Sequence, residues 1–464
     1  MGLPVAPTRI LVVGGGGREH ALAWRLAGEP GVNEVVVGPG SAAIAAEPRV
    51  AVVPLDPLDP AAVVAAARAR SVELVVVGPE APLAAGVADA CAAAGIPVFG
   101  PTREGARLET SKAFCREVAE AAGVRMARGR AFADHAAARA FAAELAASGD
   151  GVVVKADGLA AGKGVTVCAT LAEAEAALAA IFADGATAAT TRTAVAGRDP
   201  RVVVEERLTG PEASVIALTD GRDAVALPPA RDHKRLLDGD EGPNTGGMGA
   251  YSPLPDLDEA AAAALVAAIH RPLLAELARR GIPYRGALYA GLILTRDGPA
   301  LLECNARFGD PETQALLPRL GVALGPLLLA AARGELGRAL AGLGIEGPLL
   351  PATRRAAVSI VLAAAGYPAD PRAGDPIEGL EAAASDGALV FHAGTRRDPD
   401  RGFVTAGGRV LSVVGLGDDL PAARAAAEAA ADRIGFAGAQ RRRDIAAPGP
   451  LAAAAVPLAG TAGR

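Results

Sequence analysis

Four short strings in this chain combine residue types that do chemistry. Lys155-Ala-Asp-Gly158-Leu-Ala-Ala-Gly162-Lys163-Gly164 sets two ammonium groups and three glycines in ten residues. Paired positive charge on a backbone free to close suits a nucleotide triphosphate, whose charge must be neutralised as the terminal phosphoryl moves. A solvated hairpin is the plain alternative. The string is not a Walker loop, because Gly164 stands where Ser or Thr would follow Lys163. Glu303-Cys304-Asn305-Ala306-Arg307 ends an apolar run. Strand alternation puts Glu303, Asn305 and Arg307 on one face. A carboxylate beside an amide oxygen offers hard ligands for Mg²⁺, with Arg307 placed for the anion that such a cation carries; a surface ion pair on an edge strand would read the same way. Asp232-His233-Lys234-Arg235, followed by Asn244-Thr245-Gly246-Gly247-Met248-Gly249, joins charge to a glycine-rich stretch that reads as a ligand loop or as a charge run and a turn. Gly14-Gly15-Gly16-Gly17 follows a strand and precedes a helix, a natural anion site or a tight turn. A dinucleotide loop is disfavoured there: Glu19 replaces the third glycine, and Val37-Gly38-Pro39 carries no acid for a ribose diol.

Composition singles out the same places. Only four of the 46 basic residues are lysines (Lys112, Lys155, Lys163, Lys234), and the asparagines are Asn33, Asn244 and Asn305. A chain that uses arginine wherever it can keeps lysine where a compact ammonium is needed. The net charge of −6 gives no footprint for a polyanion. Cys91, Cys115, Cys168 and Cys304 form no CxxC pair, which disfavours a thiolate zinc site and fits a reducing compartment. The N-terminus lacks a signal peptide's basic start and apolar core, and the run at 320–332 is short of a membrane span and carries Pro326. A cytoplasmic, multidomain protein is expected from 464 residues that are 51% hydrophobic.

The elements that must position these strings follow from periodicity. Strands are predicted at 9–13, 35–37, 50–53, 74–77 and 97–99, with helices at 19–26, 59–69 and 83–93: a βαβ pattern and a parallel sheet. Further strands are predicted at 151–155, 164–168, 202–205, 213–218, 287–294 and 300–303, with a helix at 171–182. A linker at 344–352 leads to strands at 356–363, 388–393 and 409–415 and a helix at 421–434. An Ala/Gly/Pro-rich tail follows Pro448.

Taken together the strings resemble one family, glycinamide ribonucleotide synthetase (phosphoribosylamine–glycine ligase) of the ATP-grasp superfamily, over residues 8–446. The resemblance runs through Gly14-Gly-Gly-Gly-Arg-Glu-His20, Gly78-Pro-Glu-Ala-Pro-Leu83, Ser111-Lys112-Ala-Phe114, the 155–164 string and Val204-Glu-Glu206. It continues through Asp232-His-Lys-Arg235, the string from Gly242 to Pro253, Arg307-Phe-Gly-Asp-Pro-Glu-Thr-Gln314, Phe391-His-Ala-Gly-Thr395 and Gly407-Gly-Arg-Val-Leu411. It implies an N-terminal Rossmann-like domain (1–111), an ATP-grasp domain (112–320) with a mobile lid at about 124–195, a small C-terminal α+β domain (345–446) and a mobile tail (447–464). It implies that ATP, glycine and 5-phosphoribosylamine give glycinamide ribonucleotide, ADP and phosphate by way of glycyl phosphate. On this resemblance Arg307 and Lys163 are catalytic, and Glu303 and Asn305 bind Mg²⁺ or Mn²⁺. ATP falls to Lys112, Lys155, Gly158, Gly162, the hinge Glu205, Glu206 and Leu208, and Glu212. Substrates fall to Gly15, Gly16, Gly17, Glu19, Glu80, Asp232, Lys234, Asn244, Gly246 and Gly247. A monomer without nucleic-acid or membrane partners is expected. Gly15, Arg207, Arg231 and Cys304 depart from the family pattern; Arg207 and Cys304 are expected to loosen packing near adenine.

Overall fold

The computed structural model describes residues 4–158, 164–184 and 202–448. Lys163, Gly162 and the tail from 449 lie outside the described residues. The valine-rich strands Arg9–Gly14, Glu34–Pro39, Val50–Val52, Leu74–Val77 and Val98–Phe99 form a parallel sheet in which Arg9–Gly14 pairs with both Glu34–Pro39 and Leu74–Val77. Such runs, apolar on both faces, are what a helix-covered parallel sheet requires. The helix predicted at 83–93 is in fact two, Glu80–Ala85 and Val87–Ala93, divided at Gly86 (φ 91°). Arg103 lies against that glycine and donates to the carbonyls of Ala84 and Ala85, closing the first helix end. The early start places Glu80 in the helix's first turn.

Described residues of the expected lid build, together with Val202–Glu206 beyond its expected end, a four-stranded antiparallel sheet ordered Gly129–Phe132, Val202–Glu206, Val152–Ala156, Val165–Cys168, with helices His135–Ala146 and Leu171–Asp184 packed on it. Phe141, Leu145, Val152, Val154, Leu178 and Val202 form a core of their own there. The 129–132 strand and the 135–146 helix are absent from the sequence reading, since neither shows a clear period in an alanine-rich background.

Ala224–Ala226, Glu212–Thr219, Gly286–Thr295 and Gly298–Asn305, in that order, make the central antiparallel sheet that carries Glu303 and Asn305. The C-terminal sheet runs across the sequence boundary expected at 320–345. It is ordered Arg231–Asp232, Gly249–Ser252, Ala356–Ala363, Arg409–Gly417, Leu389–His392. Gly249–Ser252 pairs directly with Ala357–Ile360. The expected linker at 344–352 is pinned, with Leu350 N–H donating to Ala226 O and Ala226 N–H to Pro348 O. One buried cluster joins Ile10 and Leu22, Ile216 and Phe308, and Phe391.

The sequence between 320 and 332 holds the helix Gly325–Arg333, with Pro326 in its first turn, where proline is tolerated. One helical stretch, Glu259–Arg279, is long and apolar enough to cross a membrane by length and composition alone; half of it is buried, including Leu265, Ile269, Leu273 and Leu277.

Candidate functional site

Lys234 pairs with Glu303, and the charges of Lys155 and Lys112 act on the same carboxylate. Lys234 Nζ lies 3.2 Å from Glu303 Oε1 and 3.0 Å from Glu212 Oε2. Lys234, with Lys155 and Lys112 adding and burial opposing, holds the Glu303 carboxyl at about 2. Lys155 lies near the end of the strand Val152–Ala156, Lys112 opens the helix Lys112–Ala121 and Lys234 precedes the short hairpin strand Arg235–Leu237. The strand alternation holds, with Cys304 and Ala306 buried and Glu303, Asn305 and Arg307 half-buried on the other face.

Lys155 Nζ is 2.6 Å from Glu205 Oε2 and donates to Leu302 O at 2.9 Å. Arg116 reaches the other Glu205 oxygen at 2.8 Å. Burial opposes ionisation of Glu205, but these two cations overcome it and hold its carboxyl below the ordinary range. The Glu205 side chain is therefore committed to positioning Lys155, and Glu206 accepts from Arg128 N–H at 2.8 Å. Both Glu205 oxygens are thus taken, while Glu206 has one oxygen bound to the Arg128 backbone. Lys112 donates to Gly158 O at 3.0 Å, and Asp157 accepts from Ser111 Oγ and Ala113 N–H, tying the helix start to the edge of the 155–164 string.

Arg307 is held by acids on both sides. Its Nη2 lies 2.9 Å from Glu109 Oε1 and its Nε 3.4 Å from Glu80 Oε2. Its Nη1 donates to Phe308 O and its Nη2 to Asn305 Oδ1 at 3.4 Å. Glu109 also accepts from Ala306 N–H at 2.7 Å, so it fixes the backbone on which Arg307 stands. Burial pushes the Glu109 carboxyl upward against Arg307. Glu80 is held below its usual range by Arg307 and Arg18, against burial. A guanidinium pre-positioned in this way can meet a second anion without reorganising.

The glycine loop is organised by its own acid. Glu19 Oε2 accepts from Gly16 N–H at 2.7 Å and its Oε1 from Arg18 Nε at 2.6 Å; at 3% exposed it is a strut of the loop, not a group facing a ligand. A Cβ on Gly15 would stand 2.8 Å from Gly40 O, so the asparagine common in the family cannot enter here without moving Gly40. Gly17 lies against Gln314. His20 Nδ1 accepts from His392 N–H at 2.9 Å, which leaves its Nε2–H for Glu47 at 3.1 Å.

The 232–249 stretch brings acids to Lys234. Burial pushes the Asp232 carboxyl up to about 8, with Glu312, Glu212 and Glu303 adding and Lys234 opposing. Ser214 Oγ lies 2.8 Å from Tyr289 Oη and donates to Glu312 at 3.3 Å. Asn244 Nδ2 donates to Val165 O on a lid strand. Gly246 is fully occupied, its N–H donating to Tyr367 Oη and its carbonyl accepting from Arg409, and Gly247 N–H donates to Thr245 Oγ1. Both glycines are thus packed against protein rather than presenting amides to a ligand.

Two departures are settled by contacts. Arg231, 4% exposed, donates to Tyr251 Oη, Asp256 and Glu212 O, anchoring the strand that starts at Glu212. Cys304 is 3% exposed in a core shared with Cys115, so it loosens nothing visible, and Arg207 lies exposed beside Gly151. The sequence reading missed Arg18, Glu109, Arg116, Asp310 and Arg409. All but Arg116 and Glu109 lie inside strings already singled out; those two are visible only through the partners they fix. Among the described residues no group of three His, Cys, Asp or Glu side chains could hold a metal, and the hard pair Glu303–Asn305 suits a cation that takes its remaining ligands from phosphate and water.

Three family models match consecutive parts of the chain: phosphoribosylglycinamide synthetase N domain over 8–109, its ATP-grasp (A) domain over 110–313 and its C domain over 357–448. A phosphoribosylamine–glycine ligase of Streptomyces coelicolor is 50% identical over 442 residues, covering 95% of this chain and 99% of the relative. One from Ralstonia nicotianae is 46% identical over 94% and 98%. The crystal structure of the Thermotoga maritima phosphoribosylamine–glycine ligase superposes with a TM-score of 0.74 at 32% identity, over 94% of this chain and 100% of that one. A biotin carboxylase domain of Hydrogenobacter thermophilus shares the fold at TM-score 0.66 and 17% identity, over 94% and 92%.

Proposed function

The chain belongs to the phosphoribosylglycinamide synthetase family, and we propose that the residues gathered around Glu303 and Arg307 are where it performs that family's reaction. It is an ATP-dependent ligase that joins glycine to phosphoribosylamine in purine biosynthesis. The observation that carries the site assignment is that Lys234 reaches Glu303, Lys155 reaches Leu302 O and Arg307 reaches Asn305, all at the end of the 298–305 strand.

A carboxylate is a poor acylating agent, so its activation by ATP is the first task. Lys112 and Lys155 hold the ATP phosphates, with Gly158, Gly162 and Lys163 closing over them. The backbone near Leu208 meets adenine and Glu212 the ribose. Glu303 and Asn305 hold Mg²⁺ or Mn²⁺, a cation that neutralises phosphate charge when bound. The glycine carboxylate attacks the terminal phosphorus; the bond to ADP breaks, and Arg307 stabilises the charge on the transferring group. The ribosylamine nitrogen then attacks the carbonyl of glycyl phosphate, forming the amide as phosphate leaves with its electron pair and takes up the proton lost from nitrogen. The 14–17 loop, Glu80, Asp232, Lys234 and the 244–249 loop enclose the two smaller substrates. Exclusion of water protects an acyl phosphate from hydrolysis, which is the use of a closing lid.

The division at 1–111, 112–320 and 345–446 is the functional one on this reading: acceptor, nucleotide and buttress. A monomer working in the cytoplasm without a membrane partner belongs to the same reading, and the net charge of −6 supports the absence of a nucleic-acid partner. ADP release measured with Mg²⁺, ATP, glycine and phosphoribosylamine, each omitted in turn, tests it. The expected result is turnover that needs all four; ADP release indifferent to glycine would contradict it.

A further inference from the structure

Arg409 stands outside every role given above, yet its guanidinium holds two loops of the site together. Its Nη1 donates to Gly246 O and to Asp310 O, each at 2.6 Å, and its Nη2 to Asp310 Oδ2 at 3.1 Å. Two carbonyls and a carboxylate taken by one planar fork is a geometry that lysine cannot reproduce. The partners lie 163 and 99 residues away in sequence, one in the 244–249 loop and one in the turn that follows Arg307.

The loop is shaped to receive this side chain. A Cβ on Gly246 would sit 3.1 Å from Arg409 Cζ. Gly247 has φ 112°, and a Cβ there would sit 2.6 Å from Pro311 Cδ and 3.6 Å from Arg409 Nη1. Tyr367 Oη, also from the C-terminal segment, accepts from Gly246 N–H at 3.0 Å. Both polar groups of Gly246 are therefore held by the C-terminal segment. Arg409, with Arg18 adding, holds the Asp310 carboxyl below its ordinary range against burial.

We infer that Arg409, assisted by Tyr367, is a positioning residue that fixes the 244–249 loop against the Arg307–Asp310 turn, and so sets the site for the two smaller substrates rather than for ATP. The inference rests on the functional reading above. It explains why the C-terminal sheet shares strands with the middle of the chain: the loop leads straight into the strand Gly249–Ser252 of that sheet.

The experiment is steady-state kinetics of Arg409→Ala, Arg409→Lys and Tyr367→Phe, with hydrogen exchange of the 244–249 amides. Misplacing a positioning contact by about 1 Å costs up to about 100-fold, so Arg409→Ala should raise KM for glycine or phosphoribosylamine by about 10-fold or more, with KM for ATP within about twofold. Arg409→Lys should fall between wild type and Ala, and loop amides should exchange faster in Arg409→Ala. Unchanged KM values, or KM for ATP rising in step with the others, would overturn the clamp. If the alanine variant does not fold, Arg409→Lys and Tyr367→Phe decide the same question by the same KM split. A wild-type enzyme without glycine-dependent ADP release would instead overturn the functional reading, and loop exchange in Arg409→Ala would still test the clamp.

Discussion

At the scale of single residues, the site is a problem of holding like charges close together without a ligand. Lys234 between Glu212 and Glu303, and Arg307 between Glu80 and Glu109, are neutralised locally before any phosphate arrives. A buried cation left without its partners costs several kcal/mol, which is why Lys234 and Arg307 are each flanked by two acids, of which only Glu109 goes unannounced by the sequence. Arg307→Ala should lower kcat by about 100-fold or more, measured as ADP release under saturating substrates. Arg307→Lys, which keeps the charge but not the fork, should fall between. A kcat within threefold of wild type for the alanine variant would remove Arg307 from the reaction. The scarcity of lysine was a usable signal because the chain is otherwise so rich in arginine, and Lys234 does pair with Glu303 while Lys155 holds the neighbouring Leu302 carbonyl. Glu109 and Arg116 gave no such signal, since a lone acid or arginine in a helix is ordinary until its partner is known.

At the scale of elements, strands were legible and their partners were not. Valine runs mark 9–14, 74–77 and 202–206 plainly, because parallel or enclosed strands are apolar throughout. The break at Gly86 and the 129–132 strand depend on Arg103 and on the neighbouring 202–206 strand, neither of which local periodicity can report. The same applies to the contact between the helix Gly17–Ala27 and the strand Leu389–His392. There His392, 7% exposed, gives its N–H to His20 and its Nδ1 lies 3.0 Å from Thr395 Oγ1. Burial, with His20 adding, pushes the His392 imidazole down to about 3. The unfolded chain therefore takes up a proton near pH 6.5 that the folded chain refuses. That stability is fully present above pH 6.5 and is lost as pH falls toward 3, at up to about 1.4 kcal/mol per pH unit. Urea midpoints at pH 7 and pH 5 should differ more for wild type than for His392→Gln; equal differences would contradict the buried neutral state.

At the scale of the whole molecule, the chain reads as three stretches but packs as an interlocked body with a lid built on its own core. The lid sheet keeps its apolar contacts to itself, whereas the C-terminal sheet borrows Arg231–Asp232 and Gly249–Ser252 from the middle stretch. Sequence boundaries followed the motif strings; they could not show the borrowed strands, because pairing partners more than a hundred residues apart leave no local trace. On the function proposed above, the arrangement lets a lid close while the Gly246 and Asp310 loops stay tied to Arg409 of the C-terminal sheet. Closure over an acyl phosphate needs that division of labour. The most direct test of the account is isotope transfer with glycine labelled by ¹⁸O in its carboxylate. Activation through glycyl phosphate predicts that one labelled oxygen per turnover appears in the released inorganic phosphate; phosphate released without label would contradict it.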